Sequence, residues 1–180
     1  MSDTKAPRAL HRRSIEHRTW LHEDGALEIE GRLIDTKAYD TRVGFDRELP
    51  AGEAVHDMTI RILLDPDGTI RDIRLRMESA PFEICPEVIR NFETLRGTSM
   101  GRGWNALLSE RFGGAGGCRH LVDLLRGMAT VVFQSQQGKG WSRNALEEFS
   151  DSCHAFHKGG PVMVGLLAKL GEDSPGNTNR

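Results

Sequence analysis

The chain has 180 residues, 38% of them apolar and 28% charged, with 24 Lys and Arg against 26 Asp and Glu for a formal net charge of −2. That length and apolar share suit one soluble domain with tails and exclude wholesale disorder. The balanced charge lacks the cationic excess of a nucleic-acid binder, and no apolar run nears the roughly 18 residues of a membrane span, so neither partner is expected.

Residues 1–14 are polar and basic, and 171–180 combine Gly, Pro, Asn and Ser. The expected organisation is a flexible N-terminal arm at 1–14, a single α+β domain at 15–170 and a flexible C-terminal tail at 171–180. Nothing apolar follows the early cations as a signal peptide would, which points to a cytoplasmic protein. Ile15 to Leu21 is a predicted strand, His22-Glu23-Asp24-Gly25 an Asp-Gly hairpin turn, and Leu27, Ile29 and Leu33 alternate with Glu28, Glu30 and Arg32 as the antiparallel partner. Thr36 to Glu53 is rich in charge and Gly and reads as a connecting loop with room for a short extended piece. Met58, Ile60, Ile62 and Leu64 then alternate up to Asp65-Pro66-Asp67-Gly68, and Ile73, Leu75 and Met77 alternate with Arg74 and Arg76, a second hairpin. Cross-strand pairing with Glu28 and Glu30 accounts for the concentration of Arg61, Arg71, Arg74 and Arg76 there.

Helix signals fill the second half. Cys85-Pro86-Glu87 reads as a helix entrance, Val88, Ile89, Phe92 and Leu95 recur at helical spacing, and Gly97 stops the run. Residues 104–111 form a short predicted helix, 113–117 a glycine loop, and Leu121, Leu124, Leu125, Met128, Val132 and Phe133 a long amphipathic helix. Arg143 to His157 is the last predicted helix, with Leu146, Phe149, Cys153 and Phe156 towards the core. The whole is an α+β fold, a small antiparallel sheet from two hairpins packed against about three to four helices.

Three cysteines without a C-x-x-C make no disulfide framework, so they are core thiols, reactive thiols or metal ligands. Cys85 and Cys118 each open a predicted helix, where free amides and the dipole favour a thiolate. His120 lies within one turn of Cys118, and His56 stands just ahead of the strand at Met58. His56, Cys85, Cys118 and His120 are the candidate metal set, two nitrogens and two sulfurs suited to zinc or iron, with Asp57 as a further ligand or as the group orienting His56. The competing reading makes both cysteines apolar core residues and both histidines backbone partners. Cys153 and His157 would share a helix face, with Cys153 in the core and His154 and His157 in water as the preferred arrangement. Gly101, Gly103, Trp104 and Gly117 are candidate pocket residues, although neither glycine loop carries a phosphate-binding signature and Trp104 suits packing better.

The segment HDMTIRILLD…C…LRGTSMGRGW…RFGGAGGCRHL, with DGALEIEGRLIDTKAYD upstream, resembles a bacterial family of domains of unknown function. More distantly, MTIRILLDPDGTIRDIRLRM followed by a cysteine at a helix start, a Gly-ended helix and a later helix-opening cysteine is similar in layout to the IscU/NifU iron–sulfur scaffold proteins. That resemblance implies an IscU/NifU-like fold, places Cys85 and Cys118 at the second and third scaffold cysteines, and brings His56 near the scaffold aspartate. The first scaffold cysteine has no counterpart among Glu53, Ala54 and Val55, and Gly117 stands where the scaffold histidine would be, with His120 available from the other side.

The expected function is a metal-binding protein with a Cys/His site at helix N-termini, and a small-molecule metalloenzyme if one coordination position is open. One alternative is an iron–sulfur scaffold or sulfur-transfer protein served by a sulfur or cluster donor protein. The other is a non-metal ligand-binding module whose thiols only pack.

Overall fold

The computed structural model describes residues 7–136 and 142–172; the expectations for 1–6 and 173–180 lie outside the described residues. The chain divides into two compact units, one ending at Phe133 and the other beginning at Gln134. In the first, β1 (His11–Leu21), β2 (Leu27–Lys37), β5 (Ala54–Leu64) and β6 (Ile70–Ser79) form an antiparallel sheet in the order β1-β2-β5-β6. Both predicted hairpins form. Gly25 and Gly68 sit at φ +82° and +83°, where a side chain would be strained, and Asp24 and Asp67 cap the turns by accepting from the Ala26 and Thr69 amides. The expected loop between β2 and β5 contains a two-stranded hairpin, β3 (Thr41–Val43) and β4 (Arg47–Leu49), whose Val43 and Leu49 cluster with Val55.

One face of the large sheet is an ion-pair ladder. Arg61 meets Glu28 and Glu30 across strands as expected, but Arg71 meets the turn residues Asp24 and Asp65, Arg74 meets Asp72 of its own strand, and Arg76 has no ion pair among the described residues; Arg32 meets Asp57. The other face presents Ile29, Leu33, Met58, Ile60, Ile62 and Leu64, all buried. Covering them are a helical segment of two 3-10 turns (Cys85–Val88 and Glu93–Leu95) around α1 (Ile89–Phe92), then α2 (Trp104–Phe112) and α3 (Arg119–Gln136). Helix α3 buries Leu121, Val122, Leu124, Leu125, Met128 and Val132 at its predicted apolar positions, each contributing about 1.5–3 kcal/mol. Trp104 is core: it is 3% exposed and its Nε1–H donates to the Leu125 carbonyl at 3.0 Å.

In the second unit, α4 (Arg143–Phe149) starts at a Ser142 cap and stops eight residues short of the predicted end at His157. Asp151 ends the helix: it takes φ +64° and its carboxylate accepts from the Lys158 amide, bonding locally in place of helix continuation. Cys153 is consequently exposed rather than core, and His157 faces Asp151 at 3.4 Å instead of sharing a helix face with Cys153. An unforeseen α5 (Pro161–Glu172) follows, the fifth α-helix among the described residues, where about three to four helices were expected. Among the described residues no helix is long and apolar enough to cross a membrane.

Candidate metal centre

The site lies at the end of the sheet where β2 closes and β5 begins. Strand β1 starts at His11, ahead of the expected Ile15, and β2 runs on past Leu33 to Lys37. Register then places Arg13, Asp35 and His56 side by side across three strands. Alternation along β2 through Leu27, Ile29, Gly31 and Leu33 turns the Asp35 side chain onto the face covered by the helices, where it is 1% exposed. A register shift after Asp35 pairs Thr36 with Ala54 and ends the ladder there. From above, the first turn of α3 supplies His120.

Asp35 organises everything around it. Arg13 grips it with a fork, Nε donating to Oδ1 and Nη2 to Oδ2, both at 2.7 Å, and His11 Nε2 lies 3.0 Å from Oδ1. On the other side, His56 Nδ1 is 3.2 Å and His120 Nε2 3.7 Å from Oδ2. The two imidazoles overlap with ring centres 3.9 Å apart and planes tilted by 34°. One donor atom from each of Asp35, His56 and His120 lies within 4.8 Å of the other two. Although His56 Nδ1 is close to Asp35, it is buried without an aligned hydrogen bond. Proximity without alignment leaves a buried polar atom unsatisfied, which ordinarily calls for a missing partner.

Electrostatics set the protonation states. Burial alone would push the Asp35 carboxyl up, but the hydrogen bonds from Arg13 and His11 and the Arg13 charge outweigh it and hold the group well below the ordinary carboxylate range. Burial lowers His56, and the neighbouring His120 lowers it further against the pull of Asp35. His120 is lowered by burial and then by the Arg13 charge. At neutral pH the cluster therefore holds one carboxylate and two neutral imidazoles, the protonation state in which all three donate lone pairs to a metal.

The expected residues are distributed as follows. His56 and His120 converge, as their residue types suggested. Asp57 does not join them: as the next residue in β5 it points to the opposite face and makes a forked pair with Arg32, at 2.9 and 2.7 Å. Cys118 opens α3, its carbonyl accepting from the Val122 amide, with Sγ 3.8 Å from His120 Nδ1. Cys85 and Cys118 line one cleft of about 370 Å³ between the segment starting at Ile84 and the glycine loop, but neither belongs to the Asp35 group. Asn91 ties these walls by donating to the Gly116 carbonyl at 3.0 Å. Gly117 lines this cleft, whereas Gly101, Gly103 and Trp104 do not. A Cβ at Gly117 would stand 2.3 Å from the Phe112 carbonyl oxygen, so only glycine allows the tight approach that delivers Cys118. An open concavity of about 450 Å³ beside the β3–β4 hairpin, lined by Asp40, Thr41 and Arg42 among others, carries neither histidine nor cysteine.

Asp35, Arg13 and His11 escaped the sequence reading. A signal existed for Asp35: extending the β2 alternation one step beyond Leu33 places a carboxylate on the apolar face, which demands a partner.

Residues 11–134 match the model of a family described as "Protein of unknown function (DUF2889)", a span that includes every residue of the cluster. No curated protein and no solved structure matches the chain.

Proposed function

The chain belongs to this family of proteins of unknown function, and from that starting point we propose that it is a metal-binding protein holding one divalent ion, zinc or iron, on the Asp35 carboxylate and the His56 and His120 imidazoles. The observation that carries this reading is the convergence of three lone-pair donors within 4.8 Å, one of them a buried nitrogen with no aligned partner. Two imidazoles and one carboxylate leave coordination positions free for water or substrate, an arrangement used for zinc hydrolysis and for non-haem iron chemistry. A small-molecule metalloenzyme is the activity such a centre suits, the ion polarising a carbonyl or activating water.

The chain's own residues would orient the donors. Arg13 and His11 fix the Asp35 carboxylate so that Oδ2 faces both rings, and Cys118 lies against the far nitrogen of His120. With Arg13 set against both Asp35 and Asp123, which stands 3.9 Å from it, the protein offers a net single negative charge, so a divalent ion would leave about one positive charge over. An anionic substrate or hydroxide would restore balance.

Metal analysis of protein purified without a polyhistidine tag tests this. About one ion per chain is expected from the Asp35 cluster, lost in His56→Ala and His120→Ala and retained in Asp57→Asn and Cys85→Ser. A folded wild type that binds neither zinc nor ferrous iron, or binding that survives loss of both histidines, refutes it.

A second reading, sulfur transfer or cluster assembly with a donor protein, draws on Cys85 and Cys118 sharing one cleft. It expects a visible chromophore after anaerobic reconstitution with ferrous iron and sulfide, lost in Cys85→Ser and Cys118→Ser but not in His56→Ala.

A further inference from the structure

The cleft between the glycine loop and the helical segment that starts at Cys85 has a lining of its own, separate from the Asp35 cluster. Ile84 and Val88 give it an apolar wall, and the two thiols add soft, weakly polar surface. Two charges complete it, Glu87 and Arg90. They lie three residues apart on one helical segment, yet among the described residues neither has an ion-pair partner, and they do not pair with each other. Arg32, Arg61, Arg71, Arg74 and Arg96 meet carboxylates, whereas Arg90 shares with Arg12, Arg76 and Arg119 the lack of one among the described residues, and of these four only Arg90 lines a cleft with an unpaired carboxylate beside it. A ligand complementary to this lining carries one negative group, one positive group and an apolar body.

We propose that this cleft binds a small zwitterion, an α-amino acid with an apolar side chain. Its carboxylate meets Arg90, its ammonium meets Glu87, and its side chain lies along Ile84 and Val88 towards the thiols. The volume of about 370 Å³ suits a molecule of that size. Complementary charge sets the selectivity, because a monocarboxylate leaves Glu87 unanswered and an amine leaves Arg90 unanswered. Both charged residues are exposed, so each pair adds little and the Kd falls at about the millimolar level. The inference stands apart from metal binding at Asp35, although Cys118 places the ligand beside His120.

The cysteines themselves report occupancy. Alkylation by iodoacetamide is followed at Cys85, Cys118 and Cys153 by peptide mass spectrometry, with exposed Cys153 as internal control. L-phenylalanine is the probe, and 3-phenylpropionate and phenethylamine are its singly charged counterparts. At a concentration about ten times its Kd, L-phenylalanine slows alkylation of Cys85 and Cys118 about tenfold and leaves Cys153 unchanged. Arg90→Gln and Glu87→Gln each raise the Kd about two- to fivefold, which cuts protection at that concentration to about three- to sixfold, each variant being read against its own ligand-free rate. Equal protection by either singly charged compound overturns the zwitterion assignment, and absence of protection, or protection extending to Cys153, overturns the site. Running each arm with chelator and with zinc separates the two proposals: protection in a protein that binds no metal leaves this inference standing while the metal reading falls, and metal binding without protection does the reverse.

Discussion

Replacing Asp35 by Asn keeps the shape of the side chain and removes its charge, so it isolates what the carboxylate contributes. In the metal-free protein the change breaks the Arg13 fork and weakens the His11 contact. Removing one partner of a fully buried pair costs about 3–5 kcal/mol, and an exposed pair is worth about 0–1. Asp35 is 1% exposed but the Arg13 side chain is 35% exposed and regains water once released, so the cost falls between, at about 2–3 kcal/mol. With a urea m-value of about 2 kcal/mol/M, the midpoint at pH 7 in the presence of chelator drops by about 1–1.5 M with m unchanged. The pH dependence follows from the depressed pKa. Folded Asp35 stays ionised after the unfolded chain, titrating near the ordinary 3.8, has begun to take up its proton, so its contribution is complete above that pH and declines below it. The gap between wild type and variant is therefore about 1 kcal/mol narrower at pH 3 than at pH 7. Urea titrations followed by circular dichroism at the two pH values measure both quantities. An unchanged midpoint at pH 7, or a gap indifferent to pH, would refute the assignment of Asp35 as an ionised, Arg13-bound carboxylate.

Three further expectations follow from the same geometry. His17, His56 and His120 are all lowered below the ordinary 6.5 by burial, so below that pH the unfolded chain binds protons that the folded one does not; stability falls on acidification by up to about 1.4 kcal/mol per pH unit for each, as thermal melts between pH 7.5 and 5 in unchelated and chelated samples would show. Gly127→Ala places a Cβ 2.6 Å from His17 Cε1, a clash expected to cost about 1–3 kcal/mol, and His17→Ala in the same chain relieves it, so a double-mutant cycle that comes out additive contradicts the packing of α3 on β1. Asp57→Asn loses only its pair with a half-exposed arginine; stability changes by less than about 1 kcal/mol and zinc stoichiometry, read by calorimetry, stays at the wild-type value.

Features that depend on near neighbours are legible in the chain alone. Asp24-Gly25 and Asp67-Gly68 specify their turns because only a few torsions and a local capping bond are involved. Strand alternation around Ile60 and the helical spacing from Leu121 to Val132 reveal which faces are apolar, since pleat and helix have fixed periods. Those patterns made the α+β class legible, and the chemistry of imidazole singled out His56 and His120. The same local rule explains one failure: apolar spacing at Phe149, Cys153 and Phe156 suggests a helix running through Ser150-Asp151-Ser152, and the Asp151 carboxylate, bonded to the nearby Lys158 amide at a left-handed backbone position, stops it.

Which donors meet was decided by tertiary structure. Strand parity put His56 inward and Asp57 outward, but Asp35 entered the site through a register that pairs it with Arg13 on one side and His56 on the other, a relation between segments more than twenty residues apart. His120 arrives from a helix laid over that row, and Cys85 and Cys118 meet at a separate cleft because α1 and the glycine loop are tied through Asn91. Pairing of distant strands depends on the sum of many weak side-chain contacts over the whole sheet, and no short stretch of residues carries that sum.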